Sequence, residues 1–229
     1  MASCNYTIPF QNTFMPSSNT PERIRIALQD DIENGVLRAG DLIDEKALAI
    51  KHGVSRTPIR EALLMLAAQK LVVIMPRSGS VVQRPSAAEL IALLEFLGEL
   101  EGVAARLAAL RMTAEQRSTL ANIHESSEAL ARMGERHRYE ASNLALHQHI
   151  YLGCGNSVVN EEILGARRRL ANFRRHVFNQ PGRLMASFRE HEPLVRAIIA
   201  GESEQAAAAM RDHIIGKGKA FADLVLVNV

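Results

Sequence analysis

Between residues 71 and 82 the apolar residues of this chain follow a strand-like pattern, whereas on either side they recur at the three- and four-residue steps of a helix. A single short β segment set inside a helical chain leaves few folds open. Leu71-Val72-Val73-Ile74-Met75 is β-rich, Pro76-Arg77-Ser78-Gly79 is turn chemistry, and Ser80-Val81-Val82 is a second run, so a hairpin is expected. Three helix signatures precede it. Thr20-Pro21-Glu22 reads as a helix start with Thr20 as N-cap, and Asn34-Gly35 as its stop. A second helix, around 44–52, ends on Gly53; a third, about 56–69, follows Ser55 as its cap, with Pro58 tolerated in the first turn. Three helices followed by a hairpin is the order of a winged helix-turn-helix.

Gln83-Arg84-Pro85-Ser86 reads as a linker. Beyond it the helical pattern covers about 87–110, 114–133, 136–152, 157–178, 183–200 and 203–225, broken by Gly, Pro and Thr. Aromatics make up only 4% with no Trp, which argues against a sandwich or barrel. The expected fold is mainly α. A winged helix-turn-helix with a small β-hairpin spans 20–84, and an antiparallel bundle of six or seven helices spans 85–229. A flexible leader, 1–19, precedes them. That leader lacks the basic-then-apolar order of a signal peptide, and no apolar run approaches the roughly 18 residues of a membrane span. Cys4 and Cys154 form no zinc-knuckle spacing, so a reduced, cytoplasmic protein with no membrane association is expected.

The formal charge of +2 announces no partner, but its distribution does. From Lys46 to Arg84 there are seven bases (Lys46, Lys51, Arg56, Arg60, Lys70, Arg77, Arg84) and one acid, Glu61. Concentrated charge of this kind suits a phosphate backbone. Within it, Gly53 permits the tight turn between two helices, Ser55 caps the second, and Arg56 and Arg60 lie one turn apart on one face. An Arg can bond a guanine edge in bidentate fashion, and Thr57 can meet a phosphate or a thymine methyl. Ile59, Ala62, Leu63 and Leu66 form the opposite, inward face.

At this point a resemblance becomes specific. Glu45-x-x-Leu48-Ala49, then Gly53-Val54-Ser55-Arg56-Thr57-Pro58-x-Arg60-Glu61-Ala62-Leu63, then the Gly79 wing, match in order and spacing the GntR family of bacterial transcription regulators. The resemblance implies that Arg56, Thr57 and Arg60 read an operator and that the Arg77–Gly79 wing tip reaches the minor groove. Lys46 stands where members often carry a contacting Arg; it keeps the charge and loses the bidentate fork.

In the helical half, Asn143-x-x-x-His147 places two donors one turn apart, His191 lies 44 positions further on, and His213 another 22. Each His stands beside an apolar helical stripe. Imidazoles turned into a bundle interior are costly unless hydrogen-bonded, protonated or metal-bound, and the spacing leaves these open. His124, His137 and His176 read as surface or helix-end residues. Residues 87–229 resemble the all-helical effector (FCD-type) domain of the FadR-like branch of the GntR family, through Leu100-Glu101, Asn143, His147, Gly155-Asn156, Glu190-His191 and Ala209-Met210-Arg211-x-His213-Ile214. Many such domains hold a divalent metal, often zinc or nickel, through an Asp and three His. Here the Asp position is Asn143, which can ligate but brings no charge. Pro193 beside His191 is expected to kink its helix.

Arg167 and Arg174 share an apolar face with Ile163, Leu170 and Val177. An inward Arg either pairs with a Glu, snorkels to water, or awaits an anion such as a small carboxylate effector. The reading is a homodimeric, ligand-responsive transcription regulator, a repressor by resemblance, with no enzymatic activity. It would bind a palindromic double-stranded operator through the N-terminal half and a small organic acid in the bundle. Two alternatives remain at this stage: a regulator for which the metal itself is the signal, and a metalloenzyme fused to a DNA-binding module.

Overall fold

A computed structural model describes residues 19–76, 78–174 and 177–216; the side chains of residues 172 and 174 also lie outside the described set, as does the leader up to residue 18. The N-terminal part holds α1 (Thr20–Glu33), β1 (Leu42–Ile43), α2 (Glu45–His52), α3 (Arg56–Ala68), β2 (Val72–Met75) and β3 (Gly79–Val82). Its strands form one antiparallel sheet in the order β1-β3-β2. Ile24, Leu28 and Ile32 of α1 join Ile59, Leu63 and Leu66 of α3 in a core closed by Ile43, Leu71, Val72 and Val82.

Four local expectations are corrected here. The α1 ladder begins at the Asn19 carbonyl, which accepts from Glu22 and Arg23 N–H, so Asn19 and not Thr20 is the N-cap. Ser55 does hold the N-cap position of α3, but its hydroxyl makes no capping bond. The reason is in the sequence: the third helical residue is Pro58, which has no N–H to give. The hairpin is part of a three-stranded sheet, because Leu42 and Ile43 pair with Val81 and Ser80. Gly79 opens β3 and does not sit in the turn; paired with Met75, it has φ of +91°, open to glycine but strained for other residues.

The rest is helical: α4 (Ala87–Arg111), α5 (Ala114–Met133), α6 (Arg136–Cys154), α7 (Ser157–Arg174), a 3₁₀ turn (Val177–Asn179), α8 (Arg183–Ala200) and α9 (Ser203–Ile215). The expected helix over 157–178 thus tightens after Arg174, and of the expected 203–225 helix only the part to Ile215 lies within the described residues. Capping boxes start α4 (Ser86 with Glu89) and α5 (Thr113 with Gln116). Helix α4 is the axis of the bundle, burying Leu90, Leu94, Leu97, Glu101, Ala105 and Ala108 at three- and four-residue steps. Its Gly98 lets α9 come close: a Cβ there would lie 2.6 Å from Ile215. That approach matters later, because α4 carries Glu101 and α9 carries His213. Arg117 ties two helix ends together, donating to the carbonyls of Ala109, Ile198 and Ile199. Helix α8 runs through Pro193 without a break in the assignment, with Pro193 on its exposed side. The carbonyl freed by the missing N–H is that of Arg189, and a proline on an exposed face leaves such a group to solvent.

Candidate nucleic-acid interface and candidate metal centre

The first candidate site is assembled by the turn between α2 and α3. Asp44 caps α2 through Lys46 N (2.8 Å) and Ala47 N (3.0 Å), and Gly53 ends it with φ of +64°. That left-handed residue costs glycine little and turns the chain into α3. Because α3 buries Ile59, Ala62, Leu63 and Leu66, it leaves Arg56, Thr57 and Arg60 on the exposed side. Lys46, Arg56, Arg60, Ser78 and Gly79 line one open groove between α2, α3 and the sheet. Ser55 and Thr57 are exposed at the α3 N-terminus beside it; Arg77 lies outside the described residues. Arg60 Nε is 2.9 Å from Glu45 Oε2. An exposed pair of this kind is worth little energetically and is readily exchanged for a phosphate or base. The arrangement presents a helix N-terminus, three cations and a strand turn to one ligand, which is how a duplex is gripped through backbone and groove together.

The second candidate site lies inside the bundle. His147 of α6, His191 of α8 and His213 of α9 are all buried, and each offers a ligand atom within 4.8 Å of the others. Two of them are oriented from behind. His147 Nδ1 lies 3.0 Å from Glu101 Oε2, and His213 Nδ1 lies 3.0 Å from Glu190 Oε2. An imidazole that donates Nδ1–H to a carboxylate keeps its lone pair on Nε2, and His213 Nε2 is 3.1 Å from His191 Nε2. Two nitrogens held at about 2.1 Å on one tetrahedral ion stand roughly 3.4 Å apart, so this spacing suits shared ligation. One turn before His147, Asn143 Oδ1 is buried and has no hydrogen-bond partner among the described residues.

Electrostatics keep the imidazoles neutral. Burial, then the charge of Arg167, pushes His147 down to about 4 against the pull of Glu101. Burial and the two neighbouring imidazoles hold His191 well below its ordinary value. Burial alone would raise Glu101, but Arg167 and His147 outweigh it and keep the carboxylate ionised. Glu190, despite burial, is pushed down to about 2 by its hydrogen bonds to His213 and Arg183. Neutral imidazoles backed by ionised carboxylates are in the protonation state that a divalent ion requires. The donor set therefore fits such an ion.

Of the expected residues, Asn143, His147, His191 and His213 share this interior. Arg167 is inward too, and it has a partner: Nε donates to Glu101 Oε1 at 2.9 Å, with the guanidinium 5.5 Å above the Tyr151 ring. The side chain of Arg174 lies outside the described residues, as does His176. His149 is turned aside, its Nε2 2.8 Å from the Gln116 carbonyl. His124 is a correction: it is buried, stacked on Phe188 with ring centroids 4.5 Å apart and set edge-on to His191. The signal was present, since Leu120, His124, Ser127 and Ala131 form one buried stripe on α5. Glu101 was noted for its resemblance and not for its role. A lone Glu on the most apolar face of α4 was the clue.

Comparison with known proteins agrees with both halves. Residues 20–82 match the model of the bacterial regulatory proteins of the gntR family, and residues 92–216 match the FCD domain. The chain is 29% identical over 182 residues to a Streptomyces ambofaciens protein described as an uncharacterized HTH-type transcriptional regulator in an unstable DNA locus, covering 78% of this chain and 75% of that one. It is 27% identical to the HTH-type transcriptional repressor GlaR of Escherichia coli, covering 82% and 89%. Among solved structures, E. coli McbR/YncC shares the fold with a TM-score of 0.72 at 20% identity, over 92% of this chain and 99% of that one. Among the described residues no helix is long and apolar enough to cross a membrane.

Proposed function

Because this chain belongs to the GntR family of bacterial regulatory proteins and carries an FCD domain over residues 92–216, we propose that it is a homodimeric repressor released from its operator by a small organic acid. Each protomer would place α3 in the major groove of one half of a palindromic duplex, with Arg56, Thr57 and Arg60 toward the bases and Ser55, Lys46 and the Arg77–Gly79 wing toward backbone and minor groove. In the bundle, Asn143, His147, His191 and His213 would hold a zinc or nickel ion, oriented by Glu101 and Glu190. Such an ion would supply a positive centre for the carboxylate of the effector. Arg167, beside His147, would add a second positive charge, and Arg174 a third on the same helix. Repression is the activity printed in the name of the relative GlaR.

The observation that carries this reading is the convergence of His191 and His213 Nε2 while His147 and His213 are held from behind by carboxylates. Helix α7 offers a path to the DNA-binding half: Arg167 faces Glu101, and the adjacent Arg168 interacts with Glu33 of α1. An effector can shift operator affinity only by its differential affinity for the two placements of the heads. The metalloenzyme alternative is disfavoured by Glu190, whose carboxylate is engaged by Arg183 (2.6 Å and 2.9 Å) and His213 and is not free to act as a general base.

The test begins with selection of duplexes from a random library by the untagged chain, followed by metal analysis of the same preparation. A short palindrome and about one zinc or nickel per chain are expected. Absence of any sequence preference would overturn the operator assignment, and a chain that neither retains nor takes up either ion would overturn the metal centre.

A further inference from the structure

Beyond the metal donors, the interior keeps several polar groups that nothing in the chain uses. On α6, Tyr139, Asn143 and His147 follow one another at four-residue steps and so form one row along the helix. On α8, Ser187 and His191 form a parallel row. The rows face each other: His147 and His191 have ring centroids 5.4 Å apart, and Tyr139 neighbours Ser187. Tyr139 and Ser187 are completely buried, and His124 of α5, also buried, edges onto the same line at His191. The Tyr139 hydroxyl, the Ser187 hydroxyl and His124 Nδ1 complete no hydrogen bond among the described residues. Buried polar atoms are paired in the great majority of cases, and three such atoms in a row that continues the metal donors call for a ligand.

We propose that Tyr139, Ser187 and His124 form a subsite for the hydroxyl groups of the effector, so that the bundle selects a hydroxylated carboxylate over an aliphatic one. This rests on the assignment of the metal end to the carboxylate. The three groups are neutral: burial pushes the Tyr139 phenol up to about 12 and lowers the His124 imidazole. A phenol, an alcohol and a neutral imidazole each donate or accept according to the partner, as an alcohol does. They offer no charge to a second carboxylate and no apolar wall to an alkyl tail. A site built to bond a hydroxyl discriminates strongly against the analogue that lacks it, because its own buried groups are then left unpaired.

The zinc-loaded full chain is titrated calorimetrically with two pairs of acids that differ only or mainly in hydroxylation, L-lactate with propionate and D-gluconate with hexanoate. At least one hydroxylated acid is expected to bind ten-fold or more tightly than its partner. Tyr139→Phe and Ser187→Ala, which remove one oxygen each, should bring that ratio toward one. They should leave zinc affinity unchanged and the melting temperature of the acid-free protein unchanged or higher. Equal affinities within both pairs, or a ratio that survives both substitutions, would overturn the subsite while leaving the acid-responsive reading intact. No heat from any of the four acids would overturn the subsite together with that reading. A purely structural role for the two hydroxyls would lower the melting temperature without changing the ratio, and that too would overturn it.

Discussion

The two halves of the molecule use charged residues in opposite ways. In the winged head, Lys46, Arg56 and Arg60 are exposed around an open groove, and only Arg60 has an acidic partner at the rim, Glu45. In the bundle, Glu101 is fully buried and shared between His147 and Arg167. An exposed cation is nearly free to exchange water for a phosphate, so its interaction with the protein contributes little to stability. A buried carboxylate has no such freedom, and its removal leaves two other groups without their counter-charge. The head should therefore lose function and keep its fold when its charges are removed, while the bundle should lose both.

The largest effect that tests this contrast is Glu101→Leu, expected to lower stability by about 3–5 kcal/mol in urea unfolding because Arg167 is left buried and unpaired. A change under 1 kcal/mol would mean that the interior network is not what holds α4, α6 and α7 together. Arg56→Ala, by comparison, should leave stability within about 0.5 kcal/mol and weaken binding to a selected duplex by about 1–3 kcal/mol. Equal losses in both quantities would erase the distinction between the halves.

A pH titration of the metal-free chain sharpens it further. His147, with a folded value of about 4 against an ordinary 6.5, and His191, lowered in the same sense, bind protons more readily when unfolded. Stability should thus be fully present above about pH 6.5 and fall as pH drops toward 4, with a slope of up to about 1.4 kcal/mol per pH unit for each such group. Glu190, pushed down to about 2, extends the loss below its ordinary 4.5. Flat stability between pH 7 and 5 would contradict the burial of neutral imidazoles. Glu190→Gln should weaken metal retention about 10–100-fold, as removal of a group that orients a ligand does. The smallest effect concerns the caps. Asp44→Ala should cost about 1 kcal/mol and Ser55→Ala close to nothing, since Asp44 accepts two N–H bonds and Ser55 none.

Much of the head was legible because its determinants are consecutive. Gly53, Pro58 and the apolar set Ile59, Ala62, Leu63 and Leu66 act within a few residues of one another, so spacing alone places them. What escaped was the strand Leu42–Ile43, two residues with no period to detect, made a strand only by pairing with Val81 and Ser80. The bundle shows the reverse. Its helices followed from Gly breaks and capping residues, and the four metal candidates from helical faces and family likeness. The partners of those candidates come from elsewhere in the sequence: Glu101 lies 46 residues from His147, and Glu190 lies 23 from His213. No local pattern contains such a distance. His124 was misread for the same reason, since a His in a long helix declares its burial only through Phe188 and His191 on another one.

The central claim is that the interior site governs the outward one. Its most direct test is the affinity of the untagged chain for a selected palindromic duplex, measured by fluorescence anisotropy at fixed salt with the protein first metal-stripped, then zinc-loaded, then zinc-loaded with saturating D-gluconate or L-lactate. The account predicts a five-fold or greater loss of affinity on adding an effective acid, the lower end of ordinary allosteric coupling, and only in the zinc-loaded state. Affinity that is the same in all three states would contradict it.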